Sequence, residues 1–292
     1  MEANCFVWDI DPVLLPIHGP IMIRWYGICF MLVFLVGWWL LRWQFGRAGR
    51  DVKHAADFIY WAMGGVVLGA WFGHRFFYEF DRILSEPLYL IDVSGGLTGL
   101  SSHGATIGLC VVLVLFARKH SMRIGEMFDR FSFCAAAGAT LVRVGNFFNS
   151  EILGRPSDVP WAVCFPRVDK VLVPRHPSQL YEVAIGLAVM GALLLVDRLA
   201  GRERRPVWLL GGTFFVSYFL LRFFVEFYKA HQALPASSAL TMGQYLSIPF
   251  FLLGVGLVIW SLKYGQRTDE ATADSLKRAQ DRKDKKGKKG KK

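Results

Sequence analysis

Four short stretches place chemistry-bearing side chains inside otherwise apolar sequence. Tyr26 lies in RWYG and His103 in SSHGATIG. Arg143 and Asn146 stand three apart in TLVRVGNFFNSEILGRP, with Asn149 continuing their helix face and Glu151 just beyond it. Gly154-Arg155-Pro156 then reads as a turn. Arg222 and Glu226, four apart in RFFVEF, also share a face. Ionisable groups inside a membrane span are costly and face a protein interior or a water-filled cavity. Arginine presents a planar fork that grips phosphate through two hydrogen bonds and stays charged at any working pH. Two such forks open to lipid suit a phospholipid headgroup. A histidine, with an ordinary pKa of about 6.5, can take a proton from an attacking group. No internal Ser or Cys nucleophile is needed if the nucleophile belongs to a second substrate. The plainer readings are a structural Arg222–Glu226 ion pair, a snorkelling Arg143 and a packed His103.

The elements that must hold these groups are membrane spans. A spanning helix needs about 20 mostly apolar residues. Seven segments meet or approach that, at about 21–41, 57–78, 97–117, 126–147, 178–196, 207–227 and 241–263. The expected fold class is therefore all-α, a polytopic membrane protein with about seven transmembrane helices. The fourth segment is the weakest by hydropathy, because it carries Glu126, Asp129, Arg130 and Arg143. Lys and Arg concentrate in loops 42–53, 118–125 and 197–206 and in the C-terminal tail. Residues 1–20 have none, 79–96 has only Arg82 and 228–240 only Lys229. The basic side is cytoplasmic, so the N-terminus lies outside and the C-terminus inside. His103, Arg143, Arg222 and Glu226 then fall at similar depth in the outer half of the membrane, as one site.

Composition agrees. The 292 residues are 53% hydrophobic and 20% charged, against about 45–50% and 25% in soluble domains. The net charge of +11 is segregated: Gly265–Lys292 holds eleven Lys and Arg against five Asp and Glu. This tail, 264–292, reads as a disordered, basic cytoplasmic accessory, solvated or drawn to anionic lipid. No folded reading module accompanies it, which weighs against a nucleic-acid partner. The domain layout is a leader at 1–20, a seven-span membrane domain at 21–263 and this tail. The connection 148–177 reads as an outer arm that guides a substrate or packs as a plain loop. Its Trp161 and Phe165 suit an interfacial position. Cys5 and Cys164 both lie outside; a bridge and two free thiols stay open, with free thiols expected. No metal-ligand spacing, P-loop or internal repeat is seen. A transporter would place its charges nearer the midplane. An intramembrane protease using Ser101 or Ser102 with His103 would need neighbouring residues on one helix to face each other, which they do not.

The stretch RVGNFFNSEILGRP (143–156) closely resembles the signature of the prolipoprotein diacylglyceryl transferase family. HPSQLYE (176–182), RWYG, SSHG, RFFVEF and MGQYLSIP (242–249) fit in the same order, so the resemblance covers about 15–263. One departure is Ser150-Glu151, where the family often has Gly-Glu. The resemblance implies transfer of a diacylglyceryl group from phosphatidylglycerol to the lipobox cysteine of a prolipoprotein, with release of glycerol phosphate. It implies no cofactor or metal, and a bacterial inner-membrane location with the N-terminus and active site periplasmic. Carried over by motif, Arg143 binds the lipid headgroup, and His103, Tyr26, Asn146, Glu151, Gly154, Arg222 and Glu226 fall at important positions. His103 is the candidate base, with Glu226 orienting Arg222 or sharing the proton path.

Overall fold

The computed structural model describes residues 5–18, 21–92, 99–230 and 238–289. Residues 97 and 98, at the expected start of the third span, and most of loop 228–240 lie outside these. Among the described residues, seven helices are long and apolar enough to cross a membrane. These are α1 (Trp25–Arg47), α2 (Lys53–Tyr78), α4 (Ser102–Lys119), α5 (Ile124–Phe148), α6 (Ser178–Leu199), α7 (Leu209–Val225) and α8 (Met242–Tyr264). A short helix α3 (Phe80–Ser85) follows α2, and α9 (Thr268–Lys289) closes the chain. Five short strands accompany them: β1 (Phe6–Val7), β2 (Val13–His18), β3 (Ile21–Arg24), β4 (Val163–Cys164) and β5 (Pro174–Arg175). The chain divides into two compact units, residues 1–41 with 129–267, and 42–128 with 268–292.

In unit one, α5 stays helical in apolar surroundings because its charges are partnered. Asp129 accepts hydrogen bonds from the backbone N–H groups of Trp208 and Gly211, both at 2.7 Å. A carboxylate there satisfies orphan donors of α7 and meets the positive end of its dipole. Arg130 pairs with Glu203 at 2.9 Å. Arg205, fully buried, pairs with Asp197 at 2.8 Å. Outside the spans, β1 runs parallel to β4, which pairs antiparallel with β5. The arm's Phe165 is fully buried and packs with Phe147 and Val163, so it is a core residue and not an interfacial one, while Trp161 is exposed. Cys5 and Cys164 form a disulfide, which overturns the expectation of free thiols. Parallel pairing of β1 with β4 brings the two cysteines together across 159 positions of sequence.

In unit two, α2 and α4 pack through glycine. A side chain on Gly69 or Gly104 would strike the backbone of the opposite helix. Small residues at this spacing let helix backbones approach closely in lipid. Ser101 caps α4 by accepting from Gly104 N at 3.3 Å and is buried. That is a structural job, and it removes Ser101 as a nucleophile candidate. The tail also departs from expectation. From Thr268 it is helical, not disordered, and buries Thr268, Ala271, Thr272 and Ser275. Arg50 donates to Glu126 at 2.7 and 2.8 Å and to Ser275 Oγ at 2.7 Å, while Thr272 donates to Glu126 at 3.1 Å. A buried ion pair needs its remaining donors and acceptors satisfied, and α9 supplies two of those partners.

Candidate active site

Unit one gathers most of the expected residues into one charged cluster, built from the ends of α5, α6 and α7. Arg143, late in α5, brings its Nε to 2.7 Å from Glu182 Oε2 and donates through Nη1 to Asn146 Oδ1 at 3.1 Å. The Glu182 contact is an ion pair without hydrogen-bond alignment. Asn146 in turn donates to Glu151 at 3.2 Å, and Asn149 does the same. The chain is thus Glu182, Arg143, Asn146, Glu151, with alternating roles along it. The three-residue spacing of Arg143 and Asn146 puts both on one helix face.

Arg222, in the last turn of α7, lies 3.9 Å from Glu182 and 3.7 Å from Glu226. Both distances exceed a good charge-assisted hydrogen bond of about 2.7–2.9 Å. Arg222 is loosely held and keeps donors for a ligand. Glu226 is anchored elsewhere, by Lys229 Nζ at 2.7 Å and Thr241 Oγ1 at 3.1 Å. Thr241 is the N-cap of α8 and forms a capping box with Gln244. The Glu226 carboxylate therefore sits at a helix N-terminus, where the dipole favours negative charge. A side chain on Gly243 would collide with that carboxylate, which accounts for the glycine in MGQYLSIP.

Two members were missed in sequence. Glu182, at the end of HPSQLYE, contacts Arg143, Arg222 and Lys229. Lys229, counted only as a loop cation, is buried between Glu182 and Glu226. The signal was present in both cases: Glu182 closes one recognised motif and Lys229 follows another by two residues.

The turn after α5 positions these groups. Gly154 bridges to Lys229, Arg155 N donates to Tyr228 O at 2.9 Å and Arg155 Nε to Lys229 O at 2.9 Å. A side chain at Gly154 would meet the His176 backbone. Gly154 thus ties the turn to Lys229 on one side and His176 on the other. Ser178 and Gln179, opening α6, donate to Ile152 O and Glu151 O. Ser150 and Ile152 hold φ of 53° and 57°, which costs a non-glycine residue energy. Trp161 Nε1 donates to Tyr181 Oη at 2.6 Å, and that oxygen lies 3.0 Å from His176 Nδ1. In the arm, the Arg175 guanidinium beside Asp169 holds its carboxyl below the usual carboxylate range.

Tyr26 opens α1 and packs on Gly145, within electrostatic reach of Arg143 and Glu151. His103 stands in the first turn of α4, in unit two, with an exposed side chain. Among the described residues, no group of three His, Cys, Asp or Glu is placed to hold a metal ion.

The cluster therefore offers three cations facing two shared carboxylates, with one guanidinium loosely held. It can accept an anion by displacing weak internal contacts. Comparison with known proteins identifies the family. The family model described as prolipoprotein diacylglyceryl transferase matches residues 12–260. A relative from Chloroherpeton thalassium named phosphatidylglycerol–prolipoprotein diacylglyceryl transferase is 40% identical, over 91% of this chain and 98% of its own. Relatives of the same name from Pseudoalteromonas atlantica and Vibrio cholerae are 35% and 36% identical, over 96% and 91% of this chain and 100% and 96% of theirs. With its seven apolar helices and a family match across nearly all of them, the chain belongs to the prolipoprotein diacylglyceryl transferase family.

Proposed function

We propose that this chain transfers the diacylglyceryl group of phosphatidylglycerol to the lipobox cysteine of a prolipoprotein, at the outer face of a bacterial inner membrane. The observation that carries the reading is the Glu182-centred cluster, in which Arg143 and Arg222 share one carboxylate within a family-matched fold. The phosphate of the lipid takes the place of the Glu182 contacts on Arg222 and on the free donors of Arg143. The substrate thiol, with an ordinary pKa of about 8.5, gives its proton to His103. The sulfur then attacks the glycerol carbon that bears the phosphate ester. A carbon–sulfur bond forms, the carbon–oxygen bond breaks, and glycerol phosphate leaves with the bonding electrons. Negative charge grows on the leaving phosphate, where Arg143 and Arg222 hold it in a site poor in water. Tyr26, Asn146 and Glu151 set the Arg143 fork. Glu226, with Lys229 and Thr241, sets the edge beside Arg222.

The outward orientation rests on the basic loops, and the disulfide agrees, since such bonds persist in oxidising compartments. The test is transfer from phosphatidylglycerol to a lipobox peptide. Arg143→Ala is expected to lose at least about 100-fold in kcat/KM, the scale of removing one charge-stabilising donor. Arg143→Lys retains little, because the fork is gone. Near-normal turnover in Arg143→Ala overturns the headgroup role. His103→Gln is expected to lose activity that higher pH partly restores. A loss equal at every pH makes His103 positional rather than a base.

A further inference from the structure

The α2–α4 pair in unit two bounds a cavity of about 560 Å³, lined by Tyr60, Trp61, Gly64, Leu68, Phe72 and Leu115 among others. The lining is overwhelmingly apolar. Glycine creates the space: the two backbones close on Gly65, Gly69 and Gly108, while nothing lies within 4 Å of where a Gly64 side chain would begin. From Tyr60 to Phe72 the α2 lining runs about 18 Å at 1.5 Å per residue. That is close to one leaflet of hydrocarbon, half of about 30 Å.

The Tyr60 end differs in chemistry. Lys119 Nζ lies 4.6 Å from the centre of the Trp61 ring, and Lys119 and its neighbour Arg118 are exposed. Tyr60 is 74% exposed. Tyrosine and tryptophan gather where hydrocarbon meets headgroups. An apolar groove one leaflet long, with exposed cations and amphipathic rings at its Tyr60 end, complements an amphiphile whose charged head lies at that end; the cation nearest its other end, Arg75, is buried against Trp71 and donates to the carbonyls of Tyr89, Leu90 and Asp92. We propose that this groove holds one acyl chain of an anionic phospholipid whose headgroup phosphate pairs with Lys119. The lipid is a bound structural partner of α2 and α4, and its site is drawn from unit two alone.

The experiment uses full-length protein in zwitterionic micelles and lipids carrying brominated chains, which quench tryptophan on contact. Phosphatidylserine serves as the anionic probe, because its headgroup is not the glycerol of the reacting lipid. Phosphatidylcholine is the neutral comparison, and the difference from Trp61→Phe isolates Trp61 emission. Half-quenching of Trp61 is expected at about fivefold lower mole fraction of phosphatidylserine than of phosphatidylcholine, the worth of one surface lysine. Lys119→Gln is expected to bring the two curves together. Gly64→Phe fills the open side of the groove and is expected to protect Trp61 from both lipids. Equal curves in the unaltered protein, or a preference that survives Lys119→Gln, overturn the proposal. Lys119 is on the surface, so that variant carries the test even if Gly64→Phe does not fold.

Discussion

Replacing Glu182 by Gln keeps the side chain's shape and removes its charge. Arg143 then loses its 2.7 Å partner, and Arg222 and Lys229 are left to share Glu226. Misplacing a positioning group by about 1 Å costs on the order of 100-fold, so Glu182→Gln is expected to lower kcat/KM by about that factor in folded protein. An unchanged value would mean that Asn146 alone holds the Arg143 fork. Ser150 makes a second prediction. It sits at φ 53°, and its buried Oγ has no partner among the described residues. Glycine enters that region freely, whereas other residues pay about 1–2 kcal/mol. Ser150→Gly is expected to raise stability by about 1 kcal/mol, read as a higher Tm, after allowing for glycine's greater freedom when unfolded. At this scale the sequence was legible wherever polarity was out of place. Arg143, Arg222 and Glu226 stood out because charge inside a span is expensive. Glu182 and Lys229 did not, because an acid early in a helix and a cation in a loop are ordinary there.

Helix α9 shows what hydropathy passes over. Its buried face is Thr268, Ala271, Thr272 and Ser275, small residues with little apolar area, and its partners are the polar Arg50 and Glu126. No apolar period marks such a contact, so the lysines beyond it set the reading of the whole tail. The seven spans, by contrast, rest on apolar runs of about 20 residues, and they fell within a few residues of the observed helices. The docking of α9 makes the tail divisible. A chain ending at residue 267 leaves the Arg50–Glu126 pair without two hydroxyl partners. Hydrogen bonds to charged groups are worth about 1.5–3 kcal/mol each, so this chain is expected to lose at least about 2 kcal/mol. A chain ending at residue 282, which removes only KDKKGKKGKK, is expected to melt with the full-length protein. Equal melting of all three chains would show that α9 contributes nothing to unit two.

At the scale of the molecule, two unrelated physical arguments support the proposed outward face of the site. Basic loops resist transfer across the membrane, and a disulfide lasts only where thiols are oxidised. Cys5 and Cys164 lie on the side that the loop charges place outside. Their proximity was hidden in the sequence because spacing along the chain does not report distance in space; pairing of β1 with β4 decides it. An entropic account of a loop this long gives roughly 5 kcal/mol. That figure assumes a freely jointed loop, and this loop contains four spans that lipid keeps helical after reduction. The bridge should therefore act locally, on β1 and β4, with Cys5→Ser costing nearer 2 kcal/mol, the low end for disulfides. Orientation is testable in intact cells with a membrane-impermeant maleimide. Cys5, the less buried partner of the bridge, is expected to resist labelling until an external reductant is added and then to react from outside. A cysteine placed by Lys289→Cys is expected to react only after the membrane is opened. Labelling of Lys289→Cys in sealed cells would invert the topology and remove the site from the outer face.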